Sequence, residues 1–550
     1  MMKNENLSLY PPKVPESGGN TMKRARRILA LALCLALTGC MAAVPPAQAE
    51  DASVNMAVTS TFSSVNPLLI DATETVKHAL SLEFLPLMEM NADLEFVPQL
   101  AKEITTEDNL TFTIRLQDNA AWSDGTPVTS KDVQFTFLLL TSPEAGHAIL
   151  SQYLIVGTDD SGKAPSGATE LDGVKIVDEK TVTVTTKWPT ALTTFQNLFG
   201  RYVFVLPEHI LGDIPRAELP SHDWFNHPTV VSGPYFITDV DLNHYVRFTA
   251  NENYFLGAPK IKYFNMNVTT PAQLLAGLRS GEIDLIQQTT GSIMLEDYEA
   301  VRSLTNVTAV PGKPITNQSV FFNLGKVPDK RIRQAMLLSL PRELILQELV
   351  GGNGEIIDAF LCSASPFYSA ELGVTAYDPD KAAQLVREAA ADGADTTLTW
   401  YVNSGDATFV SAAELTAALA ADVGLTLEIR KVDLPTLMAI AGEGDFDLMS
   451  VEYTYSPVDP YTDMVWLLSA DGWTRFADED VTALLNSTQS TTDMDAIRQA
   501  YLTVNRKVVE EVPMMSAYVI SSLGAVSNRL KGATPDVFGT LINVHQWSVE

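Results

Sequence analysis

An α/β fold with mixed sheets is what the sequence predicts, and three observations carry that expectation. In the first half, Leu110, Phe112, Ile114 and Leu116 alternate with Thr111, Thr113 and Arg115, the period of two of a half-buried strand. In the second half, apolar runs at Leu398 to Val402, Leu425 to Val432 and Phe446 to Val451 are separated by helices from Ser411 and near Leu434, a β-α-β-α-β series that favours parallel strands. No Pro/Gly/Ser stretch is long enough to hold independent modules apart and no internal repeat is present, so the domains are expected to share strands. With 550 residues, 46% of them hydrophobic and 19% charged, the chain can bury a large core in two or three domains, which excludes a disordered or fibrous protein.

Lys23-Arg24-Ala25-Arg26-Arg27 leads into the apolar run Ile28 to Leu37, which ends at Thr38-Gly39-Cys40. That run falls short of the roughly 20 apolar residues of a spanning helix, so residues 1–39 read as a signal peptide, with Met22 as the true start. Leu37-Thr38-Gly39-Cys40 resembles the bacterial lipobox, which implies that Cys40 carries lipid and anchors the chain. Two or more acyl chains hold a protein at a membrane durably. Cleavage after Ala47-Gln48-Ala49 is the competing reading, although that site lies far from the apolar run. Met41 to Asp51 is rich in Ala and Pro, and residues 40–52 form a flexible tether.

Further along, Trp122-Ser123-Asp124-Gly125 is a turn, and Thr129-Ser130-Lys131-Asp132 has capping-box spacing ahead of a helix through Phe135 and Leu139. Val174 to Val177 and Val182 to Val184 flank Asp178-Glu179-Lys180 as a hairpin. Pro271 and Pro341 fit the first turns of helices, and Ala382, Leu385, Val386 and Ala389 form one helical face after Asp378.

The formal charge is −30, and removing residues 1–39, which hold six basic and two acidic side chains, leaves −34. Such a surface repels phosphate backbones and anionic headgroups, so no nucleic-acid partner is expected and membrane contact is confined to the lipid. A cationic ligand is compatible with this charge, and solubility alone also explains it. Of three cysteines, only Cys362 would remain as a thiol, which allows no internal disulfide and reads as packing.

No motif demands an enzyme or a cofactor. Gly157 to Ala164 falls one residue short of a phosphate-binding loop: Ala164 offers no hydroxyl and Asp159 and Asp160 would repel phosphate. The seven histidines are scattered, with His222 and His227 five apart and no cysteine beside them, so no metal site is expected. Gly277-Leu278-Arg279-Ser280-Gly281 places its serine one position too late for a nucleophile elbow and reads as a helix end.

Asn66-Pro67, Pro98-Gln99-Leu100-Ala101, Leu110 to Leu116 and the run Trp122-Ser123-Asp124-Gly125-Thr126-Pro127-Val128-Thr129-Ser130-Lys131-Asp132-Val133 resemble the signature region of the bacterial extracellular solute-binding proteins of family 5, the peptide- and nickel-binding type. Ordered echoes follow at Leu206 to His209, Ser232-Gly233-Pro234-Tyr235, Asn251 to Phe255, Ser280 to Asp284, Phe322-Asn323, Ile332 to Ala335, Tyr377 to Ala382, Gly444 to Asp447 and Pro513. The resemblance implies a two-lobed clamp of the large three-domain kind with discontinuous domains. Lobe 1 would comprise 53–90, 228–315 and 518–550, with an additional domain at 91–227, and lobe 2 would be 316–517. Two crossing segments near Thr316 to Asn323 and Met514 to Ile520 would serve as the hinge. It further implies a monomeric, extracytoplasmic lipoprotein that captures a solute and passes it to the permease of an ABC importer, without covalent chemistry. A sensory lipoprotein of the same fold and an extracellular hydrolase are the competing readings.

In peptide-binding relatives an aspartate three residues before an acidic-Pro pair holds the ligand's α-ammonium group. At the matching place, Tyr453-Thr454-Tyr455-Ser456-Pro457-Val458-Asp459-Pro460, this chain has Ser456. A hydroxyl can hydrogen-bond an amine but cannot neutralise it in a desolvated cleft. Tyr401-Val402-Asn403-Ser404-Gly405-Asp406 also lacks the arginine that dipeptide binders use for the ligand carboxylate. The expected ligand is therefore a peptide longer than a dipeptide, or a similar small solute. Tyr401, Tyr453, Tyr455 and Trp473 are expected as aromatic walls, and Asn403, Ser456 and Asp459 as polar contacts.

Overall fold

The computed structural model describes residues 52–71, 73–147 and 155–550, and Ala52 to Glu550 forms one compact unit. The expected signal peptide, Met22, Cys40 and the tether as far as Asp51 lie outside the described residues.

The alternating run predicted around Phe112 lies in a four-stranded antiparallel sheet. Its strands are β2 (Ala101–Thr106), β3 (Thr111–Leu116), β4 (Val174–Asp178) and β5 (Thr181–Thr185), in the order β2-β3-β5-β4. Phe112, Ile114 and Leu116 are fully buried in the largest apolar cluster, together with Trp122. The helix Ser130–Leu140 begins in the predicted capping box, where the Asp132 carboxylate accepts from the Thr129 main-chain N–H at 2.8 Å.

A second, eleven-stranded sheet runs through the molecule. It contains β1 (Ser53–Val58), β6 (Tyr235–Asp241), β7 (Tyr245–Ala250), β8 (Tyr263–Val268), β9 (Leu285–Ile286), β10 (Val307–Phe322), β11 (Gly354–Glu355), β12 (Thr397–Asn403), β13 (Thr426–Val432), β14 (Leu448–Thr454) and β15 (Met514–Ser527). The order is β13-β12-β14-β10-β15-β9-β1-β8-β7-β6, with β11 also pairing β15. As the β-α-β-α-β pattern predicted, β12 pairs in parallel with both β13 and β14. The intervening helix spans Ala407–Asp422, four residues earlier than the apolar period suggested, because the Asp406 carboxylate caps it by accepting from the Phe409 N–H.

The long strands β10 and β15 join the two ends of this sheet. They pair antiparallel along most of their length, with register shifts between Pro311 and Pro314, Pro314 and Thr316, and Gln318 and Ser319. Both segments expected to form a hinge lie on them.

The glycines and prolines of the recurring motifs serve as scaffold. A Cβ on Gly233 would sit 2.5 Å from the Leu82 carbonyl oxygen, so only glycine permits the close approach in which its N–H donates to Glu83 O at 2.7 Å. Ser232 Oγ accepts from Leu85 N–H, and Asn251 Nδ2 donates to Gly233 O, pinning β6 to the end of α1 (Glu74–Glu83).

Beneath this joint lies a cluster of charges. Arg201 donates to Glu89 at 2.6 Å and to Glu74 at 2.8 Å, and Lys77 pairs with both carboxylates. The Arg201 and Lys77 guanidinium and ammonium groups hold the Glu74 carboxyl down at about 2 despite its burial. Arg201 also donates to Asn197 Oδ1, and Asn197 Nδ2 donates to Asp459, so the cluster continues across the fold to the loop after β14.

Candidate functional site

A cleft of about 720 Å³ opens where β10 and β15 cross between the two ends of the long sheet, a size typical of small-ligand sites. Residues 288–299, with Ser522 and Leu523, form one wall. The other is built from residues 348–353, the loop 403–408 that leads into the Ala407–Asp422 helix, and Glu452 and Thr454 on β14. Thr316, Tyr518 and Ile520, on the long strands, make the floor.

Period-two alternation decides which β14 side chains reach this space. Thr316 lies opposite both Thr454 and Ile520, and Gln318 opposite both Glu452 and Tyr518, so these residues share one face of the sheet. Tyr453, the residue between, projects to the other face. Its hydroxyl donates to Asp463 at 2.7 Å, and its ring packs 4.8 Å from that of Tyr455.

Of the seven residues expected to contact ligand, Asn403 alone lines this cleft. Tyr401, Tyr453, Tyr455 and Trp473, expected as its aromatic walls, instead join one apolar cluster on the opposite face, where Tyr455 shares a 2.9 Å hydrogen bond with Ser319 and Trp473 packs edge-on against Phe321. Asp459 is buried and accepts from Thr194 at 2.7 Å and from Asn197 and Thr462 at 3.2 Å, so protein donors occupy its carboxylate. Burial nevertheless pushes its carboxyl up, and these hydrogen bonds oppose that shift. Ser456 Oγ is buried without a partner among the described residues. Nearby, burial raises Asp463 to about 7 against the hydrogen bond from Tyr453. Cys362 is packed, with its thiol pushed up to about 11 by burial, consistent with a structural role.

The sequence reading did not single out Glu452, Thr454 or Asp406. Glu452 is the acidic residue of a strand otherwise made of apolar, hydroxyl-bearing and aromatic side chains, and that isolation was the available signal. Its side chain stands open to the cleft with protein on the surrounding sides. Burial within those walls, and secondarily the Asp406 charge, push it up to about 7.

The main chain of β14 also matters here. β12 pairs with it only from Leu448 to Ser450, whereas β10 follows it to Thr454. Tyr455 N–H donates to Ile315 O, and antiparallel pairing then turns the main-chain groups of Tyr453 and Val451 toward β10 as well. Those of Glu452 and Thr454 face the other edge, where no strand pairs among the described residues.

Residues 95–475 match the sequence profile of the bacterial extracellular solute-binding proteins, family 5, middle region. A Brucella ovis protein named, provisionally, an ABC transporter peptide-binding protein is 31% identical over 370 residues, 65% of this chain; the match spans 64% of that relative's length. The nickel-binding periplasmic protein of Escherichia coli is 23% identical over 78% of this chain and 80% of its own length. Among solved structures, the substrate-binding protein CtaP from Listeria monocytogenes superposes with a TM-score of 0.76 at 23% identity, covering 91% of this chain and 100% of that one. The oligopeptide-binding protein AppA from Bacillus subtilis, solved with a nonapeptide, gives 0.70 at 20% identity over 91% and 99%. The mixed α/β architecture is thus that of this class of binding proteins, and the chain belongs to the bacterial extracellular solute-binding proteins of family 5.

Proposed function

We propose that the chain is the extracytoplasmic solute-binding component of an ABC importer, anchored through Cys40, and that it captures a peptide longer than a dipeptide, or a similar small solute, for its permease. The observation that carries this reading is the cleft at the unpaired edge of β14. An extended peptide laid along that edge would pair with the main chain of Glu452 and Thr454 as an added strand, leaving its side chains in the surrounding space. The assignment of lobe 1 to 53–90, 228–315 and 518–550, of the additional domain to 91–227 and of lobe 2 to 316–517 belongs to the same proposal. β10 and β15 then act as the hinge, and ligand binding favours the closed arrangement that a permease distinguishes. Ser456 stands where peptide-binding relatives carry an aspartate but does not line the cleft; what disfavours dipeptides is the main-chain edge of Glu452 and Thr454, which a dipeptide is too short to pair fully.

Isothermal calorimetry with dialanine, trialanine and pentaalanine tests this. The two longer peptides should bind at least tenfold more tightly than dialanine. Submicromolar affinity for dialanine would overturn the length assignment.

A further inference from the structure

The ionisable side chains that line the cleft are all acids or phenols. Four carboxylates on its walls, Glu296, Glu348, Asp406 and Glu452, have no ion-pair partner among the described residues, and no Lys, Arg or His lines it. Glu299 is different, because Arg302 donates to it at 2.6 Å. Two buried amides add acceptors without donors. Gln288, 5% exposed, lines the cleft with its Nε2 spent on Val310 O and its Oε1 unpaired. Gln318, 2% exposed, shares the sheet face of Glu452 and Tyr518 without reaching the lining, and its Oε1 is also unpaired. A buried acceptor left unsatisfied is costly, and such a group in a ligand cleft points to a donor that arrives with the ligand.

We propose that the ligand carries an organic cation, an alkylammonium or guanidinium group, that sits between Glu452 and Asp406, with the amide oxygen of Gln288 as a further acceptor. This inference rests on the cleft being the ligand site. Ammonium and guanidinium groups donate hydrogen bonds and accept none, matching the carboxylates and the unpaired Gln288 amide oxygen of the lining. A metal ion fits less well, since no group of three His, Cys, Asp or Glu side chains among the described residues is placed to hold one. The lysine or arginine side chain of a basic peptide and a free polyamine share the required chemistry.

Calorimetry of the purified protein at pH 8 in roughly 0.3 M salt, where attraction to the acidic exterior is screened, separates these sources. The probes are trilysine, trialanine, triglutamate and spermidine. Trilysine should bind one to one and at least tenfold more tightly than trialanine, with triglutamate weakest. Glu452→Gln should lower trilysine affinity roughly tenfold to a hundredfold, the loss typical of one charge-assisted contact. It should lower trialanine affinity far less, and it should not lower the unfolding temperature, because burial already raises the Glu452 carboxyl. Asp406→Asn, which keeps a capping residue, should act in the same direction. Equal affinities for trilysine and trialanine would overturn charge selection while leaving peptide capture standing. Spermidine binding without any peptide would support charge selection and overturn peptide capture, and no binding by any probe would overturn both.

Discussion

Replacing Arg201 with methionine removes one cation from a buried set in which two cations face two carboxylates. Arg201 is 3% exposed, donates to Glu89 at 2.6 Å, to Glu74 at 2.8 Å and to Asn197 at 3.3 Å, and lies 4.5 Å from the Phe538 ring centroid. Methionine fills most of the volume, so the main loss is electrostatic: Lys77 alone is left to balance Glu74 and Glu89. Breaking a buried pair in this way costs about 3–5 kcal/mol. Unfolding entropy of about 2.1 cal/mol/K per residue over roughly 500 residues comes to near 1 kcal/mol/K, so the midpoint should fall by about 3–5 °C. Differential scanning calorimetry reads this directly. Adding Glu89→Gln to Arg201→Met should recover part of the loss, because it removes a carboxylate that has lost its partner. A midpoint for Arg201→Met within 1 °C of the parent, or a double variant as unstable as the sum of the two singles, would refute the reasoning.

Three further outcomes follow from particular side chains. Burial holds the Glu83 carboxyl well above its usual range against a single N–H donor, Ile237, so the folded protein keeps a proton that the unfolded chain releases, and stability is lost as pH rises past about 4.3. Glu83→Gln should therefore raise the calorimetric midpoint at pH 8 and leave it unchanged near pH 4. Asp459→Ala removes the acceptor shared by Thr194 and Asn197 and one hydrogen bond of Thr462, and should cost about 2–4 kcal/mol in denaturant titration, less than additively with Arg201→Met because Asn197 bridges the two sites. Burial raises Glu452 to about 7 in a setting that includes Asp406, Tyr298 and Tyr518, so trilysine affinity should rise between pH 5.5 and 8 as Glu452 ionises, with a much smaller change for trialanine.

Local rules made much of the fold readable. The Thr129 capping box, the Val174–Thr185 hairpin and the strand around Phe112 each depend on neighbours within a dozen residues, and so does the end of the Pro271–Ser280 helix at Gly281. Pairings such as Leu285 with Val526 join residues far apart in sequence and leave no local trace, so the sheet order could not be read directly. The site was harder still. Likeness to a binding motif drew attention to Tyr453 and Tyr455, whereas the pleat of β14 turns Glu452 and Thr454 toward the cleft and Tyr453 toward the core. That parity becomes decidable only when the partner strand is known. The polar stretch Thr316-Asn317-Gln318-Ser319 directly precedes the apolar strand end Val320-Phe321-Phe322, and its place becomes plain only with Gln318 lying across from Glu452.

The most direct test is native mass spectrometry of the protein purified from its own source without denaturation. One bound peptide of three or more residues per chain, lost on partial unfolding and rich in lysine or arginine, is the predicted result; a chain that carries only a dipeptide or an anionic solute would contradict it.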